Sequence, residues 1–264
     1  MSLSQLWIIK IGGNIIDDPA GLNRFLERFA YLRGKKILVH GGGKIATRMA
    51  ADLGIEAKLV DGRRITDEAM LRVVTMVYAG LTNKLVVAGL QASGCNALGL
   101  SGADGNTIEA VKRPVGEIDY GFVGDIRPDS VDADAIATLI EGGFTPVFSA
   151  ITHDGKGQLL NTNADTIASA LAVALSARYS TSLVYCFEKR GVLLDVHDEQ
   201  SVIPEIRASQ FDELRASGVI ADGMVPKLHN AFDAIGKGVD EVCIGHADDL
   251  HLLREHQFGT RMVR

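Results

Sequence analysis

The chain has 264 residues, 47% of them hydrophobic, and a net charge of -6 from 27 basic and 33 acidic side chains. That is enough apolar material for one large domain or two close lobes, and an acidic balance without any Lys/Arg run excludes a nucleic-acid or membrane-surface binder. Cys95, Cys186 and Cys243 are odd in number and far apart, with no metal-type spacing. This argues against structural zinc and a disulfide framework, and for a reducing, cytoplasmic setting.

In chain order, a strand is predicted at 6–11, a helix near 21–33, a strand at 36–40 and a helix at 44–53. Short Ile/Val/Leu runs alternate with amphipathic segments, the pattern of right-handed crossovers and a mostly parallel sheet covered on both faces. Both strands empty into glycine, as Ile11-Gly12-Gly13 and His40-Gly41-Gly42-Gly43. Without a Cβ, backbone N–H groups close on phosphate or carboxylate oxygens, and the positive end of the following helix adds attraction. Such a turn also serves to seat a helix tightly on a sheet, but two of them at two strand ends imply one shared anionic ligand.

A long helix follows at 67–91 with Thr66 as its N-cap, then a strand at 96–100. From 102 to 127 Gly, Asp and Pro accumulate around short alternating pieces such as 118–123, which read as antiparallel hairpins near a site. A helix at 129–141, a strand at 145–149 and a turn-rich segment at 152–158 lead to an Ala-rich helix at 165–177. The end repeats the grammar: strand 182–187, helix 208–217, helix 227–235, strand 241–244, helix 247–256 and strand 260–263. No run of about 18 uninterrupted apolar residues and no secretory leader are read. The expected architecture is two continuous lobes on one sheet, with ligands at the carboxyl ends of the strands.

Several charges stand in costly places. Lys10 lies inside a strand that should be covered on both faces, where an ammonium needs an anion unless it snorkels out at the strand end. Lys227 falls in the first turn of a helix opened by Pro226, where the dipole repels a cation. Asn161-Thr162-Asn163-Ala164-Asp165 puts two amides and a carboxylate just before the Ala-rich helix. Asp165 reads either as a plain N-cap or as a carboxylate that orients two lysines. Arg63 and Arg64 offer guanidinium forks suited to a substrate carboxylate.

Taken together, the Ile-Lys-Ile-Gly-Gly start, His-Gly-Gly-Gly, Gly-Arg-Arg-Ile-Thr, Gly121-Phe122-Val123-Gly124, Asn-Thr-Asn-Ala-Asp and Asp222-Gly223-Met224-Val225-Pro226-Lys227 resemble the amino acid kinase family, in its order and over nearly the whole chain. The resemblance implies a three-layer αβα sandwich with a mostly parallel central sheet. It implies an acylglutamate-binding lobe at 1–175 and a nucleotide-binding lobe at 176–264. The implied reaction is ATP-dependent phosphorylation of the γ-carboxylate of N-acetyl-L-glutamate, a step of arginine biosynthesis, with ATP and Mg2+ as cofactors. Lys10 and Lys227 would stabilise the transferring phosphoryl group, Asp165 would organise them, and Gly42, Gly43, Arg64 and Asn161 would hold the acceptor. Nucleotide contacts would fall on Gly12, Gly13, Glu188, Gly191, Val192, Leu193, Ile220 and Ala221, with no metal ligand supplied by the chain. The first strand starts by about Leu6, so the N-terminal helix that links the family's long, arginine-inhibited hexamers has no room. A homodimer insensitive to arginine is expected.

One stretch departs from the family. Where it usually carries Ser/Thr-Asp-Val-x-Gly-Val, this chain has Tyr185-Cys186-Phe187-Glu188-Lys189-Arg190-Gly191-Val192. Lys44, directly after the glycines, has no assigned role. Carbamate, other carboxylate and N-succinyl-L-glutamate acceptors compete within the family, and a non-catalytic regulator competes outside it. An esterase reading rests on His40-Gly41-Gly42-Gly43 as an oxyanion loop and on Gly99-Leu100-Ser101-Gly102-Ala103 as a near-miss nucleophile elbow.

Overall fold

The structure, a computed structural model, describes residues 3–60, 63–195, 197–216 and 224–264. The first half holds strands β1 (Gln5–Ile11), β2 (Lys35–His40), β3 (Leu59–Val60), β4 (Arg63–Arg64), β5 (Ala97–Leu100), β6 (Val111–Lys112), β7 (Gly124–Asp125), β8 (Thr145–Ser149), β9 (Ile151–His153) and β10 (Leu159–Asn161). The second half adds β11 (Ser180–Phe187), β12 (Glu205–Arg207), β13 (Glu241–His246) and β14 (Thr260–Val263). The helices are α1 (Gly13–Asp17), α2 (Pro19–Tyr31), α3 (Gly43–Asp52), α4 (Glu68–Val74), α5 (Asn83–Ala92), α6 (Ala133–Glu141), α7 (Ala164–Leu175), α8 (Phe211–Ala216) and α9 (Val225–Gly236).

The described residues form an eight-stranded sheet in the order β12-β14-β13-β11-β1-β2-β8-β5, parallel except where β14 runs against β13. Alternation along β1 shows why the sheet lies between two helical layers. Leu6 and Ile8 pack with Ile167 and Leu171 of α7, while Trp7, Ile9 and Ile11 pack with Phe25 and Phe29 of α2. Side chains of opposite parity on a strand face opposite ways, so a strand with both faces apolar must be central. Its neighbours are β2 on one side and β11 on the other. The chain thus reverses its direction of sheet growth beside β1, the place where open α/β sheets hold their ligands.

The α2 layer contains a second buried lysine. Lys36 donates to the carbonyls of Phe29, Ala30 and Leu32 at 2.7, 2.8 and 2.6 Å. It satisfies the end of α2 where carbonyls lack intrahelical partners.

The long predicted helix is present as α4, a π-helical segment Thr75–Thr82 and α5. Its N-cap is Asp67, which accepts from Met70 N, and not Thr66. The continuous helix from Glu68 to Ala92 is long and apolar enough to cross a membrane by length and mean hydropathy, 1.5, although Glu68, Arg72 and Lys84 interrupt its apolar run. It buries Met70, Val74, Val77, Val86 and Leu90 in the core while Met76, Leu81 and Leu85 are exposed.

Other expectations shift in detail. The antiparallel hairpin expected within 102–127 is present as β6–β7, extended by Arg113 N–H donating to Val123 O, while residues 118–123 at its tip also make parallel bridges at Thr66–Gly121 and Val123–Asn161. Two further antiparallel pairings near the site, β9–β10 and β3–β4, were not expected. The helix at 247–256 is a 3-10 stretch, Ala247–Glu255.

Candidate active site

Lys10 is the penultimate residue of β1, on the face toward α7, with only 9% of its surface exposed. Its Nζ stands 2.8 Å from Asp165 Oδ1, an ion pair whose direction is not that of a hydrogen bond. Asp165 does not cap its helix. Asn163 does, accepting from the N–H groups of Asp165 and Thr166, and this leaves the Asp165 carboxylate in the first turn of α7, where the dipole favours it.

Lys227 lies in the first turn of α9, whose N-cap is Met224. The Lys10 and Lys227 ammonium groups are 5.3 and 3.9 Å from the centroid of one ring, Phe187, at the end of β11. They therefore converge. Burial lowers the Lys227 pKa first of all, with Asp165 and Glu188 opposing the shift and Lys10 adding to it. Each of these groups feels the other's charge, so the cage inferred from three separate motifs is one cluster.

The second glycine turn is held from below. His40 is fully buried, its Nδ1 2.8 Å from Gly41 O and its Nε2 3.0 Å from Asn83 Nδ2. Asn83 can only donate through that nitrogen, so Nε2 accepts and Nδ1 carries the proton. Burial drives the His40 pKa down to about 4, with Lys84 nearby also lowering it against the Gly41 hydrogen bond. The ring is thus neutral and structural. Gly42 has φ +155°, and a Cβ there would meet Tyr78 at 3.0 Å and Thr82 at 3.2 Å. Only glycine fits at this position.

Arg64 is buried and donates to Gly43 O at 2.9 Å and Thr47 Oγ1 at 2.8 Å. It also lies against Tyr78, whose hydroxyl pKa is raised by burial against the pull of that guanidinium. Asn161 donates to Thr66 Oγ1 at 2.9 Å, which explains why Thr66 is needed although it caps nothing. Gly121, at φ +71°, passes so close to Thr66 that a Cβ would lie 2.3 Å from its carbonyl oxygen.

A cleft of about 950 Å3 joins these parts, from Gly41–Gly43, Arg64 and Asn161 to Asp165 and Lys227. A smaller pocket of about 320 Å3 adjoins it, lined by Lys10, Gly13, Gly41–Gly43, Lys44 and Arg64. Lys44 reaches across that pocket to Asn14 Oδ1.

The structure places the expected nucleotide residues less evenly. Gly12 donates to Cys186 O, joining β1 to β11, and Gly13 opens α1 beside the smaller pocket. Glu188 is exposed just past β11 and close enough to Lys227 to raise its pKa. Gly191 is packed against Thr260 and Val202, Val192 is buried with its N–H on Thr260 Oγ1, and Leu193 bridges Val202. Ile220 and Ala221, like Gly62, Asp222 and Gly223 of the motifs, lie outside the described residues. Sequence reasoning missed Phe187, Tyr78 and Asn83; only Phe187 left a signal, an aromatic at a strand end inside the divergent run. Ser101 donates to Asp104 Oδ2 and, among the described residues, has no histidine hydrogen-bonded to its hydroxyl, contrary to the esterase reading.

A doubly covered parallel sheet that brings two lysines, a carboxylate and two glycine turns to one cleft is that of a small-molecule phosphotransferase. The chain belongs to the amino acid kinase family, whose sequence profile matches residues 5–246. It is 59% identical over 260 residues to the acetylglutamate kinase of Bacteroides thetaiotaomicron, covering 98% of this chain and 99% of that one. Identity to the acetylglutamate kinase of Cytophaga hutchinsonii is 53% over 264 residues, 99% of both chains. The solved structure of carbamate kinase from Giardia lamblia bound to AMP-PNP is alike at a TM-score of 0.71, with 15% identity and 100% of each chain covered, a likeness of fold.

Proposed function

We infer that the chain is an acetylglutamate kinase, transferring the γ-phosphoryl group of ATP to the γ-carboxylate of N-acetyl-L-glutamate in arginine biosynthesis. The observation that carries the chemistry is the convergence of Lys10 and Lys227 on one ring beside Asp165. The near full-length relatives carry the choice of acceptor.

The acceptor carboxylate is already deprotonated, so it needs no general base, and His40 is buried away from the reaction. A carboxylate oxygen attacks the γ-phosphorus, the bond to the bridging oxygen of ADP breaks, and the acyl phosphate leaves. Charge spreads over the equatorial and bridging oxygens in a loose transition state, so catalysis is positioning plus neutralisation. In the proposed roles Lys10 and Lys227 face that charge, Asp165 fixes Lys10, and the N–H groups of Gly42 and Gly43 with Arg64 and Asn161 orient the acceptor. The nucleotide is assigned to the part from 176 onward, around Glu188 and with Gly12 and Gly13 at the phosphates, and the acceptor to residues 1–175.

Mg2+ normally keeps several waters and binds through one or two carboxylates plus substrate phosphates. Asp165 and Glu188, the carboxylates beside the lysines, fit that habit, and among the described residues no group of three His, Cys, Asp or Glu assembles a metal cage. Bound there on the triphosphate, the ion would add further neutralisation of phosphate charge. A homodimer and a cytoplasmic location belong to the same reading. They are supported by the exposed Met76, Leu81 and Leu85 on one helix and by three free thiols.

One observation favours a second acceptor. Arg63 and Arg127 also line the cleft, and neither side chain has a hydrogen-bond or ion-pair partner among the described residues. An N-succinyl group would bring a further carboxylate to them. The test is ADP release with hydroxylamine trapping of the acyl phosphate, using N-acetyl-L-glutamate, N-succinyl-L-glutamate and free glutamate. Turnover of either acylated substrate well above free glutamate is expected, and no ADP release with any of them would defeat the assignment.

A further inference from the structure

The divergent segment after β11 contains the group that faces both lysines. Phe187 is the last residue of β11, its ring stacked on Tyr185 with centroids 6.1 Å apart and planes 18° from parallel. Tyr185 is Lys10's partner in the sheet register and reaches toward Asp165 O. Gly12, the residue after β1, comes so near that an added Cβ would touch the ring edge at 3.8 Å. The ring is thus held between its own strand and the turn after β1. On it sit both ammonium groups, Lys227 at 3.9 Å and Lys10 at 5.3 Å, inside the range in which a ring quadrupole attracts a cation.

Two like charges brought together in a half-dry cleft repel; Asp165 pairs with Lys10, and Glu188 acts on Lys227 only through space from an exposed position. A second carboxylate in contact would solve the repulsion badly, because it would occupy ammonium N–H groups and cancel the charge that the phosphoryl oxygens require. A ring face attracts the cation while accepting little from its N–H donors. Every donor of Lys227 that points away from the ring stays available to an incoming phosphate.

We propose that Phe187 is a positioning residue of the phosphoryl-transfer site, a shared cation–π platform that holds Lys10 and Lys227 together, charged and with free donors. This rests on the kinase reading above. It gives the departure from the family's usual Ser/Thr-Asp a task at the lysines. The carboxylate that follows, Glu188, stays one residue further out.

The test is steady-state kinetics with MgATP and the preferred acyl-glutamate across pH. Phe187→Leu keeps an apolar side chain but no quadrupole. It is expected to lower kcat about tenfold, in line with losing two cation–π contacts, with both KM values within about threefold. The alkaline limb of its kcat/KM profile should move to lower pH, because Lys227 keeps its burial and loses its compensation. Phe187→Tyr should stay within about threefold of wild type with the limb in place. Where the leucine variant fails to fold, site-specific mono-, di- and trifluorophenylalanine at 187 weaken the quadrupole with little change of shape, and kcat should fall stepwise with fluorine number. A flat fluorination series, an unmoved alkaline limb in Phe187→Leu, or equal losses in the leucine and tyrosine variants would overturn the proposal. Wild type inactive on every acyl-glutamate would instead overturn the kinase reading itself.

Discussion

Lys10 shows how much a single misplaced charge can reveal. An ammonium in a strand whose other inward residues are apolar calls for an anion, and the structure supplies Asp165 at 2.8 Å. Lys10→Ala or Lys227→Ala should each lower kcat about a hundredfold or more, by analogy with removing one preorganised donor at a developing negative charge. Turnover within a few fold of wild type in both would remove them from the chemistry. The bland alternative for Asp165, a helix cap, fails because Asn163 performs that task. Sequence could not choose between them, since both residues are good caps two positions apart. His40 makes a prediction of a different kind. Its folded pKa of about 4 lies below the unfolded 6.5, so between those values the unfolded chain binds more protons and stability rises with pH. As pH falls from 6.5 to 4 this group should withdraw about 3 kcal/mol, an order-of-magnitude figure. Urea titrations should therefore show a steeper acid loss in wild type than in His40→Gln, and parallel curves would refute this.

At the scale of elements, periodicity and glycine punctuation carried most of the reading. The central strands, α3, β8, α7 and β14 lie within a few residues of their predicted limits, because each is long, apolar on a regular face, and bounded by a cap or a turn. What escaped was short or held by tertiary contacts alone. Helix α1 has 5 residues and β12 has 3, too few to show a period. The run 118–123 closes the β6–β7 hairpin through Arg113 and Val123, but its other bonds go to Thr66 and Asn161, far apart in the chain, so no local pattern announces those. The same limit hid Tyr78 and Asn83 beneath the glycine turn. That turn carries the proposed acceptor site, and it tolerates no side chain at 42. Gly42→Ala should raise the acceptor KM about tenfold or more, since it costs roughly 1–2 kcal/mol of backbone strain and displaces Tyr78. An unchanged KM with normal stability would show that the loop has room to give.

For the whole molecule, the reversal of sheet growth beside β1 puts Lys10 and Phe187 on adjacent strands that belong to different halves of the chain. In the proposed assignment, phosphoryl donor and acceptor approach from opposite sides of this sheet. The long helix is equally two-sided, with Tyr78 and Thr82 beneath Gly42 and with Met76, Leu81 and Leu85 facing outward. The proposed dimer uses that outer face. Light scattering should give twice the chain mass of 28.2 kDa, and Leu81→Glu with Leu85→Glu should shift it toward monomer. A hexamer, or a dimer indifferent to both substitutions, would contradict this.

The three cysteines carry a practical consequence. Cys95, Cys186 and Cys243 are free and buried, and burial pushes the Cys186 and Cys243 thiols well above the ordinary range. Native protein should therefore be silent toward maleimide dyes. One cysteine engineered on the surface of each half would take up fluorophores without any background to subtract, and energy transfer between them would report any change in cleft width on adding ligands.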